Sequence, residues 1–145
     1  MKYTVANLKL IKKMVDFSNT DDQLRLSESL HKNQPYFCNI MDQVKIDSRC
    51  LEAHLFCTLF CSLALERAEL LTDECFPCFP EDLFHDTAYK TVQKHPEISK
   101  RAETYPDRIS RHVLNGVGFD EEDTGWLQIM ISAFLVTVEK FTNES

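Results

Sequence analysis

Two cysteines separated by two residues form the motif with the clearest chemical potential in this 145-residue chain. Cys75 and Cys78 precede a predicted helix that begins near Glu81. A CxxC pair can close a short disulfide, and a thiol beside a helix N-terminus ionises more readily because the helix dipole stabilises the thiolate. The spacing fits a redox-active dithiol, without the βαβ pattern that surrounds such a pair in thioredoxins. The alternative, which we favour, is a structural loop whose cysteines serve as small apolar residues.

The surroundings of this pair resemble a helical redox family, the alkylhydroperoxidase-D and carboxymuconolactone decarboxylase family. There a dithiol at a helix start is assisted by a histidine one turn later and by a glutamate on the preceding helix. The similar positions here are Cys75, Cys78, His85 and either Glu66 or Glu69. This chain departs from the family's spacing, because His85 lies seven residues beyond Cys78. The resemblance implies that His85 and Glu69 handle protons for the dithiol.

A second set of soft ligands lies on the longest helix predicted for the first half of the chain. This set consists of Cys50, His54, Cys57 and Cys61. Their i, i+4, i+7, i+11 spacing places them on one helix face. Cys57 and Cys61 could join Cys75 and Cys78 around a zinc ion, which prefers four tetrahedral thiolate or imidazole ligands. The alternative, which we favour, assigns the stripe to the core, because free cysteine is among the most buried residue types.

A carboxylate metal centre is a further alternative. Glu28 and His31 form one Glu-x-x-His motif, and Asp82 and His85 approach a second one. Di-metal centres in helical bundles need two such motifs and two further glutamates on facing helices. The aspartate in the second motif makes this hypothesis weaker than the dithiol.

Charge limits the classes of partner. The net charge is −7 and the pI is near 5.2, which disfavours nucleic acids and anionic membranes because both polyanions need clustered lysine and arginine. We therefore expect neither as a partner. A locally basic stretch, which we interpret mainly as a solvated helix face, comprises Lys94, His95, Lys100, Arg101, Arg108, Arg111 and His112.

The N-terminus and the apolar runs bear on location. The first residues lack the apolar segment of a secretory signal. The most apolar run, Ala53–Leu65, is shorter than the about 20 residues that span a bilayer. We therefore predict a cytoplasmic protein, in which the six cysteines stay reduced.

Apolar residues spaced three and four positions apart, together with the small number of glycines, predict that helices position these residues. The three glycines all lie between positions 116 and 125, so the frequent tight turns of a β-rich fold are missing. A capping box that starts at Thr20 is predicted to open the second helix. The predicted helices are Tyr3–Phe17, 20–32, a short one from Pro35, Arg49–Leu71, Glu81–Lys94, short ones opened by Pro96 and Pro106, and Glu122–Phe141.

These elements predict an all-α fold, a single-domain bundle over residues 1–145. Of the eight candidate segments, we expect six or seven to form helices of the bundle, around two nearly all-apolar central helices, Arg49–Leu71 and Glu122–Phe141. We expect these two helices to pack together and to leave apolar surface for a dimer contact. The predicted function is that of a non-enzymatic helical protein that acts through protein–protein contact or self-association and needs no cofactor. The alternatives are a thiol-redox protein and a metal-binding protein.

Overall fold

Six α-helices account for most of the computed structural model, which describes residues 2–44, 51–80 and 105–144. No strand occurs in these three ranges, so the all-α prediction is confirmed for them. The helices predicted at Glu81 and Pro96 lie outside the described residues. The six helices are α1 (Val5–Asp16), α2 (Thr20–Asn33), α3 (Pro35–Val44), α4 (Leu51–Thr72), α5 (Tyr105–Ile109) and α6 (Glu121–Glu144).

Side-chain caps begin the first two helices. Thr4 caps α1 by accepting a hydrogen bond from the Asn7 N–H at 3.1 Å. At α2 the capping box starts one residue before the predicted Thr20, at Asn19. The extended backbone of Asn19 brings its Oδ1 within 2.8 Å of the Asp22 N–H, and the Asp22 carboxylate accepts from the Asn19 N–H in return.

Helix α4 is buried over ten consecutive residues, from Phe56 to Leu65. Because an α-helix turns once every 3.6 residues, such a run leaves no side of the helix open to water. Helices α1, α2 and α6 contact α4. Helix α6 contains a similar run of buried residues, from Met130 to Glu139. The two helices that we expected to pack together are therefore in contact.

The connection between α5 and α6 is built from a π-helical turn and two glycines. Residues Ser110–Leu114 continue α5 as the π-helical turn. Gly116 and Gly118 have φ angles of 79° and 89°, a region that residues with a Cβ rarely adopt. Asp120 then accepts a hydrogen bond from the Asp123 N–H at 2.7 Å, which caps the start of α6.

One buried carboxylate joins both ends of the chain. Glu139 is 4% exposed, and its Oε1 accepts hydrogen bonds from the Tyr3 N–H at 3.0 Å and from the Tyr105 hydroxyl. The Tyr3 hydroxyl donates to the Ala64 carbonyl of α4 at 2.7 Å. Burial raises the pKa of both tyrosine hydroxyls, and for Tyr105 the bond to Glu139 adds to the rise. The hydroxyls therefore stay protonated and available as donors.

Removal of this acceptor is expected to destabilise the fold. Glu139→Ala leaves the Tyr105 hydroxyl without its acceptor, leaves the Tyr3 N–H with only its longer bond to the Tyr105 hydroxyl oxygen at 3.3 Å, and opens a small cavity, at a cost of about 2–4 kcal/mol. Urea denaturation measures the loss. The exposed Glu28 of α2 supplies the control, because Glu28→Ala should change the unfolding free energy by less than about 0.5 kcal/mol. Equal stability of the two variants would contradict the assigned role of Glu139.

Candidate functional site

The CxxC motif lies in the irregular segment that leaves α4. Helix α4 ends at Thr72, and Asp73 adopts a left-handed conformation with φ of 55°. Such a residue just beyond a helix turns the chain away from the helix axis. Residues 74–80 then follow without regular secondary structure. We call residues 75–80 the CxxC segment.

A buried glutamine holds this segment against the junction of α2 and α3. Gln34 is 0% exposed. Its Nε2 donates to the Pro77 carbonyl at 2.9 Å, and its Oε1 accepts from the Phe79 N–H at 2.9 Å. The side-chain amide thus pairs with two main-chain groups that would be costly to leave unpaired in the interior.

Phe79 anchors the same segment in the core. It is 0% exposed, and its ring lies 4.8 Å from that of Phe141 and 6.0 Å from that of Phe134, measured between centroids. Phe76 meets Phe79 edge-on at 6.2 Å. Aromatic burial of this kind fixes position through area and ring geometry. The two phenylalanines of the CxxC segment therefore pack inward against the core.

The two cysteines of the motif lie on the outer, exposed side of the CxxC segment. Cys75 and Cys78 are exposed and form no disulfide with each other. Glu69 is one of the two predicted proton handlers. Its side chain contacts the main chain of the CxxC segment, where Oε1 accepts a hydrogen bond from the Phe76 N–H at 3.4 Å. His85, the other, lies outside the described residues. The structure therefore places one predicted partner beside the dithiol.

The groove next to Cys75 is acidic. Its volume is about 320 Å³, and it is lined by Glu66, Glu69, Leu70, Asp73, Glu74 and Cys75. We call it the acidic groove. Arg25 of α2 pairs with Glu66 at its edge, with 2.8 Å between Nη1 and Oε1. Reactive thiolates in proteins lie beside cations or helix N-termini, and carboxylates occupy that place around Cys75.

The four cysteines of the predicted zinc site lie in two different environments. Cys57 and Cys61 are 0% exposed, whereas Cys75 and Cys78 are at the surface. In the three described ranges, no three histidine, cysteine or acidic side chains gather in a way that could hold a metal ion. The structure therefore does not assemble this ligand set, and Cys50 lies outside the described residues.

The buried thiols are neighbours in the core. Burial raises the pKa of Cys38 to about 12, with Asp42 and Cys57 adding to the rise. Burial also raises the pKa of Cys61 well above its ordinary value, and a hydrogen bond with Cys57 contributes. Neutral thiols of this kind serve as small apolar residues. The core role that we favoured for Cys57 and Cys61 agrees with this environment.

The two remaining candidate histidines have local partners. His54 lies on α4 and donates from Nε2 to the Asp42 carboxylate of α3 at 2.6 Å, at a partly exposed position. His31 donates from Nδ1 to the Ser27 carbonyl at 2.8 Å in the last turn of α2. Histidine at a helix C-terminus complements the helix dipole, which accounts for His31, whereas the contact of His54, in the first turn of α4, is its bond to Asp42.

Part of the basic stretch is described, and it lies at the surface. Arg111 is 3.8 Å from Asp107, with both side chains exposed, and Arg108 lies over the Tyr105 ring. These contacts fit the predicted solvated helix face. The other basic residues from 94 to 101 lie outside the described residues.

An apolar surface on α1 is the feature that the chemical motifs did not indicate. The inward face of α1 carries Leu8, Ile11 and Val15. A second set of large apolar side chains faces outward: Leu10, Met14 and Phe17, which are 38%, 44% and 78% exposed. Phe17 is the C-cap residue that follows Asp16, the last residue of α1. We call Leu10, Met14 and Phe17 the α1 stripe. Their i, i+4, i+7 spacing places them on the side of the helix opposite the buried face.

Comparison with known proteins found no relative of this chain. No protein-family model matches it, and no curated protein or solved structure is significantly similar to it. Within the described residues, every helix is too short or too polar to cross a membrane.

The Gln34 contacts lead to a first prediction for this site. Gln34→Ala removes the acceptor of the Phe79 N–H and the donor to the Pro77 carbonyl, which should lower the unfolding free energy by about 1–3 kcal/mol. Hydrogen exchange of the Phe79 amide should accelerate, since local opening becomes easier. Asn39→Ala, at an exposed position of α3, is the control. Unchanged Phe79 exchange in Gln34→Ala would contradict the predicted role of the glutamine.

The two thiol environments lead to a second prediction. In the native protein, an alkylating reagent should label Cys75 and Cys78 and leave Cys38, Cys57 and Cys61 unlabelled until the chain unfolds. Peptide mass spectrometry before and after denaturation measures this order. Rapid labelling of Cys57 or Cys61 in the native state would contradict it. Reversible oxidation of the exposed pair in the same assay tests the redox alternative.

Proposed function

We propose that this protein is a non-enzymatic helical interaction module whose α1 stripe docks against another protein surface. The supporting observation is the outward position of Leu10, Met14 and Phe17 along one side of α1. Single exposed apolar residues are common on protein surfaces, but a contiguous apolar patch marks an interaction site. The i, i+4, i+7 spacing is the one by which an amphipathic helix anchors in a partner's groove.

The charges beside the stripe suit such a contact. Lys9 and Lys13 are exposed on α1. Lys13 lies next to the stripe, because it is three residues from Leu10 and four from Phe17 and such positions are neighbours on a helix surface. Interfaces of moderate affinity combine a buried apolar centre with a charged rim that steers the partner into place. The arrangement therefore favours an acidic partner surface with apolar pockets.

The proposed location is the cytoplasm. The five described cysteines are free, in keeping with a compartment that keeps thiols reduced. The acidic net charge of −7 supports a protein partner over a nucleic acid.

A thiol-redox function is the second candidate. It is supported by the contact between Glu69 and the Phe76 N–H and by the exposure of both motif cysteines. The acidic groove beside Cys75 weighs against it, because carboxylates do not stabilise a thiolate.

Site-specific photo-crosslinking tests the interaction module. A photoreactive phenylalanine analogue in place of Met14, in the full chain in its native cells, should give a discrete covalent adduct with a protein. The adduct should disappear when Leu10→Ser and Phe17→Ser are added, because the neighbouring anchors are lost. The control carries the same analogue at the exposed Lys32 of α2. Equal adducts from both positions, or none from position 14, would contradict the proposal.

A further inference from the structure

We propose that the α1 stripe of one copy of this chain docks into the acidic groove of a second copy, in a head-to-tail arrangement. This inference rests on the proposed function and names the partner. The observation behind it is that one molecule carries two apolar surfaces of opposite charge. Each surface offers what the other lacks.

The acidic groove has an apolar centre. Leu70 is 78% exposed and Leu71 is 51% exposed at the end of α4. Leu70 lines the groove among four carboxylate residues. Of these, Glu66 has its partner in Arg25, whereas the described residues place no lysine or arginine within ion-pair distance of Asp73 or Glu74. The groove therefore combines exposed leucine with uncompensated negative charge.

The residues around the α1 stripe carry the opposite charge, which is positive. The segment from residue 2 to residue 17 contains four lysines and a single acidic residue, Asp16, in a chain whose net charge is −7. Lys12 pairs with Asp16. Lys9 and Lys13 are exposed and have no carboxylate partner among the described residues. Positive charge thus flanks an apolar stripe on one surface, and negative charge surrounds an apolar residue on the other.

Electrostatics favours the groove over a second α1 stripe as the docking surface. Two α1 stripes placed face to face would bring their lysines together, and like charges across an interface are unfavourable. Contact between stripe and groove instead pairs Lys9 and Lys13 with Asp73 and Glu74. The charges set orientation and rate of association, and the apolar side chains provide most of the affinity.

The size of the groove fits this mode of docking. A volume of about 320 Å³ lies at the lower end of the range of about 300–1,000 Å³ for binding pockets. It admits one or two side chains rather than a whole helix. Phe17, the most exposed residue of the stripe at 78%, is the anchor that we assign to it. Leu10 and Met14 then face the exposed side chains of Leu70 and Leu71.

This contact allows two symmetries. Where both stripe-to-groove contacts form at once across a twofold axis, association stops at a dimer with two equivalent contacts. Where only one contact forms, each copy retains one free stripe or one free groove, and association continues into a ring or an open chain. The observable consequence is a molar mass that rises with concentration and falls when salt screens the charges.

Sedimentation and light scattering on the full chain test these consequences. The stripe variant carries Met14→Ser and Phe17→Ser, and the groove variant carries Leu70→Ser and Glu74→Lys. All four positions are exposed, so circular dichroism should show native helix content. Each variant alone should weaken self-association by at least about tenfold. Ile129→Ser, at an exposed apolar position of α6, should associate like the unchanged chain.

Mixing the two variants is the decisive experiment. The stripe variant keeps an intact groove and the groove variant keeps an intact stripe, so the mixture should form a 1:1 dimer that does not grow further. Salt should dissociate this dimer. A mixture that stays monomeric would overturn the proposal. Loss of association in the stripe variant alone, with the groove variant unaffected, would also overturn it and indicate contact between two α1 stripes.

Failure of this inference can be told apart from failure of the proposed function. An unchanged chain that stays monomeric at every concentration and salt level overturns the head-to-tail contact. If the adduct formed from position 14 is then with a different protein, the interaction module stands and its partner is that protein. If position 14 forms no adduct either, both proposals fail.

Discussion

The complete burial of the middle of α4 is the constraint on which the described fold depends. Ten consecutive residues from Phe56 to Leu65 are shielded from water, so apolar surface from other elements must cover every side of the helix. Helices α1, α2 and α6 contribute to this cover. Helices α1 and α2 each contribute one face, and what lies on the opposite face remains available at the surface. The α1 stripe is a consequence of this arrangement.

Polar groups inside this apolar assembly specify how the helices dock. Ser62 of α4 donates to the Leu26 carbonyl of α2 at 2.8 Å. The Tyr3 hydroxyl bonds to the Ala64 carbonyl, and Glu139 accepts from the Tyr3 N–H. An apolar contact tolerates sliding, whereas a buried donor without its acceptor costs free energy. These bonds therefore select one register among the packings that hydrophobic burial alone would allow.

The CxxC segment shows how the same residues can suggest chemistry in the sequence and serve packing in the structure. The thiols of Cys75 and Cys78 are the groups that suggest chemistry. The interactions that hold the segment in place are made by Pro77 and Phe79, which lie between and after the two cysteines. Phe79 fills a core position, and Gln34 pairs with the main chain on both sides of Cys78. The buried Cys57 and Cys61 likewise contribute small apolar volume. What remains unabsorbed by the core is the exposed pair of thiols and the acidic groove beside Cys75.

The sequence by itself determined the all-α class of the described residues and the approximate bounds of α1, α2, α4 and α6, because these depend on spacing and hydrogen bonds within about four residues. It placed the capping box of α2 one residue late, at Thr20 instead of Asn19. The burial of Cys57 and Cys61 was predictable for the same reason, since both lie in the continuous apolar run of α4. Only the tertiary structure decided the pairing of Gln34 with Phe79, 45 residues away, and of Tyr3 with Glu139, 136 residues away. Periodicity is a local property, whereas the choice of a distant partner is made when the whole core packs.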